Sequence, residues 1–278
     1  MLLGEYAVLD GGPALVAAVD RGVWCEVSPA DTVEIEVPGD ARFVGPALAA
    51  VGAAPGRYTF GAWNPVDAPV KVGLGSSAAA TVAAVLAGCP VDPGPAARFA
   101  IARDVHRAVQ GSGSGIDVAA STFGGVSRFR SGVVRPEVLR GPAAVSPSVV
   151  FTGVSAATGP RVERYLGWTD RAGFVAEMTA AVDRFADDPI GAIRDGGRAL
   201  RRMADAAGLA YWTDGIDVTV RLAERHGGAG KPSGAGGGDV VVAVLPDDHA
   251  RAAFVREVAA AGLLHVPVAV APAAHRTE

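Results

Sequence analysis

The run Val72-Gly73-Leu74-Gly75-Ser76-Ser77-Ala78-Ala79-Ala80 decides how the chain is read. Its two glycines open backbone conformations closed to other residues and leave no side chain in the way of a bulky ligand. Ser76 or Ser77 is expected to cap a helix. The alanine-rich run Ser77 to Leu86 continues that helix, with Gly88 as its expected stop. A helix N-terminus offers free N–H groups and a partial positive charge, which suits phosphate. A capped helix after a flexible loop accounts for the same residues, and the run is not a Walker motif. The rest of the chain weighs between the two.

With 278 residues the chain can bury a full core and hold one large or two modest domains. Half of it is hydrophobic and the net charge is -4, which argues against an electrostatic footprint for nucleic acid. Cys25 and Cys89 form no CxxC or cluster, so neither a disulfide framework nor a zinc site is expected. No apolar run approaches the ~20 residues that span a bilayer. No basic-then-apolar leader pattern opens the chain. These features predict a cytoplasmic protein without a membrane partner, as a monomer or homodimer. Of 25 basic residues only Lys71 and Lys231 are lysines, and each stands beside a glycine-rich stretch. A compact ammonium can follow a phosphate where a planar guanidinium does not fit.

Residues 1–28 read as strand-rich, with strands over Ala7–Leu9, Ala14–Val19 and Gly22–Val27. Val33–Val37 alternates at period two, as a half-buried strand does. Residues 38–68 are punctuated by Pro and Gly, with a helix at about 42–52. A helix is predicted over Ala96–Val109, and a strand over Val126–Arg130. Three prolines and several glycines in 131–148 mark the expected boundary between domains at 1–145 and 146–278. Beyond it, Ser148–Thr152 reads as a strand, and helices are expected at about 170–186, 189–207 and 214–226. Gly227–Gly238 reads as a loop, Asp239–Leu245 as an apolar strand, 248–261 as a helix and 265–270 as a strand. Trp24, Trp63, Trp168 and Trp212 are expected in the core or at the lobe interface, rather than as platforms for stacking bases. This order of elements indicates an α+β protein with two lobes.

Two further small-residue segments match the first in kind. Ser112-Gly113-Ser114-Gly115-Ile116-Asp117 opens a helix with a carboxylate at its start, placed to cap the helix or to position a hydroxyl proton. Lys231-Pro232-Ser233-Gly234-Ala235-Gly236-Gly237-Gly238-Asp239 feeds straight into an apolar strand. So many glycines there cost entropy unless backbone must approach a ligand closely. Three such segments spread over both halves are expected to serve one ligand site.

Together they resemble the three motifs of the GHMP kinase superfamily, the galacto-, homoserine, mevalonate and phosphomevalonate kinases. Gly4-Glu5-Tyr6-Ala7-Val8-Leu9 resembles the first motif, Gly73–Ala79 the second and Ser233–Gly238 the third. Within the family, Glu5-Tyr6, Gln110-Gly111 with Gly113-Ser114-Gly115-Ile116-Asp117-Val118, Thr152–Thr158, Lys71 and Asp239 lean toward phosphomevalonate kinases.

The resemblance implies the two-lobed GHMP kinase fold, with a ribosomal-protein-like βαβ N-lobe and a ferredoxin-like C-lobe. It implies transfer of the γ-phosphoryl group of ATP to 5-phosphomevalonate, with Mg²⁺. Gly73, Leu74, Gly75, Ser76, Ser77 and Ala78 would hold the ATP phosphates, with the Ser77 hydroxyl (failing that, Ser76) on the metal. Lys71 would neutralise charge in transfer, and Asp117 would orient substrate or a cation. Glu5, Tyr6, Ser114, Gly115, Lys231, Ser233, Gly234, Ala235, Gly236 and Asp239 would line the acceptor side.

Two departures stand out. The family places a strand and Ala-Pro-Gly-Lys before the Gly-Glu, where this chain has Met1-Leu2-Leu3. Mevalonate kinases place a magnesium-binding Glu eleven residues before the Asp, where this chain has His106. Asp104 is a nearby alternative ligand, although an exposed helix acid explains it equally. Mevalonate kinase, another GHMP metabolite kinase, and a catalytically impaired homologue that binds or regulates are the alternatives.

Overall fold

A computed structural model describes residues 1–67, 72–111, 113–140, 145–153, 159–238 and 240–277. After a turn of 3-10 helix at Ala7–Asp10 come strands β1 (Ala14–Ala17), β2 (Gly22–Ser28) and β3 (Val33–Glu36), helix α1 (Val44–Ala50) and strand β4 (Gly56–Trp63). Helices α2 (Ser76–Gly88), α3 (Pro95–Gln110) and α4 (Ile116–Phe123) follow, then strands β5 (Val126–Phe129), β6 (Glu137–Val138) and β7 (Ser148–Phe151). Helices α5 (Gly159–Gly167), α6 (Arg171–Arg184), α7 (Pro189–Ala207) and α8 (Asp214–Arg225) lead to β8 (Ala229–Pro232), β9 (Val240–Val244), α9 (Asp248–Ala260) and β10 (Leu264–Val266).

The chain forms two compact units. The first is built mainly from Met1–Val16 and Leu139–Ala269, the second from Ala17–Asp67, Leu74–Val138 and the segment from Val270 onward. By contacts, the leading segment groups with the C-terminal half, whereas a division into 1–145 and 146–278 follows chain order. The grouping has a packing cause. A Cβ added to Gly196 in α7 would stand 2.3 Å from Leu3 Cδ2, so the leading segment lies directly on that helix.

The first unit holds a four-stranded antiparallel sheet in the order β10-β7-β9-β8. Two strands, β7 and β9, run through its centre, and their residues are buried throughout. In chain order β7 is followed by four helices, then β8, β9, α9 and β10, which is the ferredoxin-like β-α-β-β-α-β arrangement with its first helical connection enlarged to four helices. Val150, Leu222, Ala223, Ala243, Leu245, Phe254 and Val258 form a buried cluster under this sheet. The expected strands and helices of this half lie within a few residues of their predicted bounds. One strand was hidden. Ala229–Pro232 reads as part of a glycine loop but forms β8, because its backbone pairs antiparallel with β9 (Lys231 opposite Val242).

In the second unit β4 lies between β2, antiparallel to it, and β3, parallel to it. Strand β4 falls in the stretch left unassigned as Pro/Gly-rich, and its Tyr58 and Phe60 are buried at period two. Helix α2 packs against α1, α3, α4 and β2. Its alanines keep those neighbours close: a Cβ on Gly88 would meet Val51 Cγ2 at 2.7 Å.

Three expectations are corrected. Ala7–Asp10 is a 3-10 turn rather than a strand, closed by Gly11 at φ 81°. β3 is mostly exposed, because it is an edge strand of its sheet. Trp24 and Trp63 are exposed rather than core, each standing opposite a glycine of the partner strand, Gly61 and Gly22. Among the described residues no helix is long and apolar enough to cross a membrane.

Candidate functional site

In the second unit, three elements bring Ser77, His106 and Asp117 together. Gly75 takes φ 81° as the N-cap of α2, so Ser76 and Ser77 are the first residues inside the helix and neither caps it. The glycine supplies the entry geometry, which leaves the Ser77 hydroxyl for another partner. That partner is His106 of α3, whose Nε2 lies 3.1 Å from Ser77 Oγ. The imidazole is buried and stacked on Phe43, with ring centres 4.9 Å apart. Asp117 sits in the first turn of α4, behind the N-cap Gly115 at φ 78°. Its Oδ1 accepts the Val118 N–H at 2.9 Å, while Oδ2 stands 4.0 Å from His106 Nε2. The side chain remains 40% exposed.

The two helix starts adjoin: a Cβ on Gly75 would lie 3.9 Å from Asp117 Cβ. In α2 the first i to i−4 bond runs from Ala79 N–H to Gly75 O at 3.1 Å. The amides of Ser76, Ser77 and Ala78 precede that ladder and are the ones a helix leaves for an external acceptor. Gly73 takes φ 76°, and Ser76 is exposed. Ser114 Oγ accepts the Ile116 N–H at 3.4 Å, and Gly115 gives room to Arg103, whose Cγ would be 3.0 Å from a Cβ there. Asp104 is an exposed helix acid paired with Arg103 at 2.8 Å.

In the first unit the remaining expected residues form a closed polar knot. Lys231 is fully buried in β8, and its Nζ donates to Glu5 Oε1 at 2.5 Å and to Pro232 O at 2.8 Å. Glu5 is 1% exposed. Burial holds the Lys231 pKa below the ordinary lysine value, against the opposing pull of Glu5. Ser233 Oγ donates to the Met1 carbonyl at 2.9 Å. Tyr6, at the strained φ of 59°, donates its hydroxyl to Ala235 O at 2.8 Å. Tyr211 donates to Gly234 O at 3.1 Å and accepts the Gly237 N–H on its carbonyl at 2.6 Å. Burial raises the pKa of both tyrosines, so their hydroxyls stay protonated donors.

These contacts give part of the third glycine segment an internal use. A Cβ on Gly236 would stand 2.0 Å from the Tyr211 ring, whereas one on Gly234, at φ +78°, would meet nothing within 4 Å. Gly234 therefore has open space beside its backbone.

The structure thus groups Leu74, Gly75, Ser76, Ser77, Ala78, Ser114, Gly115 and Asp117 in the second unit. It groups Glu5, Tyr6, Lys231, Ser233, Gly234, Ala235 and Gly236 in the first, and Gly73, expected beside Gly75, falls in the first unit as well. Lys71 and Asp239 lie outside the described residues. His106, noted in the sequence only as an exchange for Glu, is the partner of Ser77. The spacing of eleven residues to Asp117 was the signal. Tyr211 carried no signal, because its role depends on the shape of a distant loop. Among the described residues no group of three or more His, Cys, Asp or Glu could hold a metal ion.

Comparison with known proteins gives the family. The family description "GHMP kinases N terminal domain" matches residues 64–125, and "GHMP kinases C terminal" matches residues 189–263. A phosphomevalonate kinase of Streptomyces sp. (strain CL190) is 30% identical over 329 residues, covering 89% of this chain and 88% of that protein. A mevalonate kinase of Methanothermobacter thermautotrophicus is also 30% identical, over 275 residues, covering 88% of each. Among solved structures, a Listeria innocua protein gives a TM-score of 0.86 at 23% identity, covering 97% of this chain and 95% of that one. The Streptococcus pneumoniae phosphomevalonate kinase in complex with phosphomevalonate and AMPPNP gives 0.77 at 17% identity, covering 97% of each chain. Both family descriptions fall in their family order, and the relatives are matched over most of their length; the chain belongs to the GHMP kinases.

Proposed function

We propose that this protein is an ATP-dependent kinase of the mevalonate pathway that phosphorylates 5-phosphomevalonate to its 5-diphosphate. The observation that carries phosphoryl transfer is the adjoining of two helix starts, with the Ser77 hydroxyl and the Asp117 carboxylate beside them. Amides ahead of the α2 ladder suit the oxygens of ATP phosphates. The acceptor phosphate oxygen attacks the γ-phosphorus as the bond to the β-phosphate oxygen breaks, and ADP leaves. Catalysis of such a transfer is mainly positioning and neutralisation of charge. An acceptor that is already an ionised phosphate needs no strong base, so Asp117 orients the acceptor or a cation. Lys71 is assigned the neutralising role and the third glycine segment the acceptor, with Gly234 offering open backbone.

The residues fit a magnesium ion carried by the nucleotide. Ser77 and Asp117 supply hard oxygen donors, and magnesium in such sites takes one or two protein oxygens plus phosphates. Ser77 Oγ and the Asp117 carboxylate would hold it. An ion held there would supply neutralisation of phosphate charge. His106 keeps the Ser77 hydroxyl in place through its 3.1 Å contact.

The choice of phosphomevalonate over mevalonate draws support from Gly113–Ala120 and Glu5-Tyr6, and from the Streptomyces relative. Mevalonate as acceptor is the second reading, favoured by the archaeal relative at the same identity. An ADP-release assay with mevalonate, 5-phosphomevalonate, galactose and homoserine separates them. Release with 5-phosphomevalonate alone is expected, and release with mevalonate alone contradicts the assignment.

A further inference from the structure

The chain returns to the second unit with the segment from Val270 onward. That tail crosses the ends of α2 and α4, opposite the starts that carry Ser77 and Asp117. Val19 and Val270 form an antiparallel bridge, and the Ala271 N–H donates to Ala18 O at 3.0 Å. Just past the end of α4, the Gly125 N–H donates to Ala271 O at 2.8 Å. The tail backbone then runs so close to Gly124 that a Cβ there would stand 2.2 Å from the Ala273 nitrogen.

Two arginines fasten it. Arg98, in the first turn of α3, is 2% exposed. It pairs with Asp92 at 2.7 Å and donates from Nη1 to the Ala274 carbonyl at 2.5 Å. A guanidinium so deeply buried is stable only with such partners. Arg276 reaches the last turn of α2: Nε donates to Leu86 O at 3.1 Å, and Nη2 donates to Leu86 O at 2.5 Å and to Cys89 O. The final carbonyls of a helix lack partners within it, and a cation suits the negative pole there. No basic residue of α2 itself stands in that turn, so the tail supplies the cap that α2 lacks. The helix is also rich in alanine, with few long side chains to key its axial position against its neighbours. Its ends therefore weigh heavily in where it sits.

We infer that Arg276 is a positioning residue for the start of α2, and that fastening of the tail is coupled to phosphate binding at Ser76–Ala78. The inference rests on the reading of that helix start as the holder of the ATP phosphates, and deepens it by naming what keeps the helix in place. A strap that sets nucleotide affinity must itself be tightened by nucleotide.

Its test is calorimetric titration of the full chain with ATP and 5-phosphomevalonate, using wild type, Arg276→Gln and Arg276→Lys, together with hydrogen exchange. Melting curves establish that each variant is folded, so that a change in affinity is not a change in folded population. Arg276→Gln is expected to weaken ATP binding about 5-fold or more. Binding of 5-phosphomevalonate should stay within about 2-fold. Arg276→Lys keeps a cation at the helix end without the planar fork and should recover only part of the loss. In wild type, saturating ATP should slow exchange of the Gly125 and Ala271 amides. ATP affinity within about 2-fold of wild type in Arg276→Gln overturns the coupling, and so does tail exchange that ATP leaves unchanged. Where Arg276→Gln does not fold, ATP binding by Arg276→Lys and tail exchange in wild type decide by the same criteria. If wild type binds no ATP, the nucleotide reading fails by itself. The brace is then judged without ligand on the Ala79 amide, in the first turn of α2. Arg276→Gln should speed its exchange about 5-fold while the β4 amides keep their rate. An unchanged Ala79 rate overturns the brace.

Discussion

Both units carry charged side chains beside glycine-rich turns, but they treat the charge in opposite ways. Ser77, His106 and Asp117 stand where two helices begin, and the carboxylate is 40% exposed. Glu5 and Lys231 sit beside the third glycine segment, yet both are shut from solvent and paired with each other. An ion pair so deeply buried gains little over an apolar pair, but breaking it strands a charge. A carboxylate at an open helix start can turn to a ligand without unfolding anything. On the proposed function, the difference separates a group placed for chemistry from a pair placed to hold a loop. Residue type and a glycine neighbour do not make that distinction; burial does.

The largest expected effect lies in the closed knot. Lys231→Met leaves Glu5 buried without its cation and should cost about 3–5 kcal/mol in denaturant unfolding. The double variant Lys231→Met with Glu5→Gln should recover much of that. Additive losses in the two single variants would mean that the pair is not coupled. The open cluster should behave the other way. Asp117→Asn is expected to lower turnover about 100-fold, as misplaced reactants do. Its melting temperature should stay near that of wild type. A large loss of stability with turnover intact would exchange the roles given to the two regions.

A smaller effect is expected at His106. On the proposed function it acts through Ser77, so His106→Gln should lower activity about 10-fold, as loss of an outer partner does. Because the contact at stake is the Ser77 hydroxyl, the loss should appear in nucleotide binding and should largely vanish in a Ser77→Ala background.

The mildest test concerns His265 in β10, at the margin of the first unit's sheet. Burial, aided by Arg251, holds its pKa below the ordinary histidine value. The folded protein thus favours the neutral ring. The stability this provides is present above the unfolded pKa of about 6.5 and is lost as pH falls below it. Melting curves between pH 8 and pH 5 should fall less steeply for His265→Gln than for wild type.

Much of the fold was legible in the chain because it follows local patterns. The apolar run before Leu245 and the long amphipathic stretches after Pro189 specify β9, α7 and α8 with little help from elsewhere. The helix after Ser77 was legible for the same reason, although its cap was not. Gly75 takes the left-handed entry position, so the serines are free of that duty. Strand β8 was hidden because Ala-Gly-Lys-Pro has no strand character of its own. Only pairing with β9 makes it one. Burial of Lys231 was hidden for the same reason, since nothing local announces that Glu5, far away in the chain, will meet it. Asp117 was readable from its place at a glycine turn. The role of His106 needed the geometry, because the sequence shows an exchanged residue and not its 3.1 Å contact.

On the proposed function, the open cluster serves transfer of phosphate to a phosphorylated acceptor. Phosphorus NMR of wild-type protein with ATP, Mg²⁺ and 5-phosphomevalonate follows that transfer directly. The phosphomonoester signal should be replaced by a diphosphate pair as ADP accumulates, and Asp117→Asn should slow that conversion about 100-fold. An unchanged phosphomonoester signal, together with conversion of mevalonate to a monoester, would contradict it.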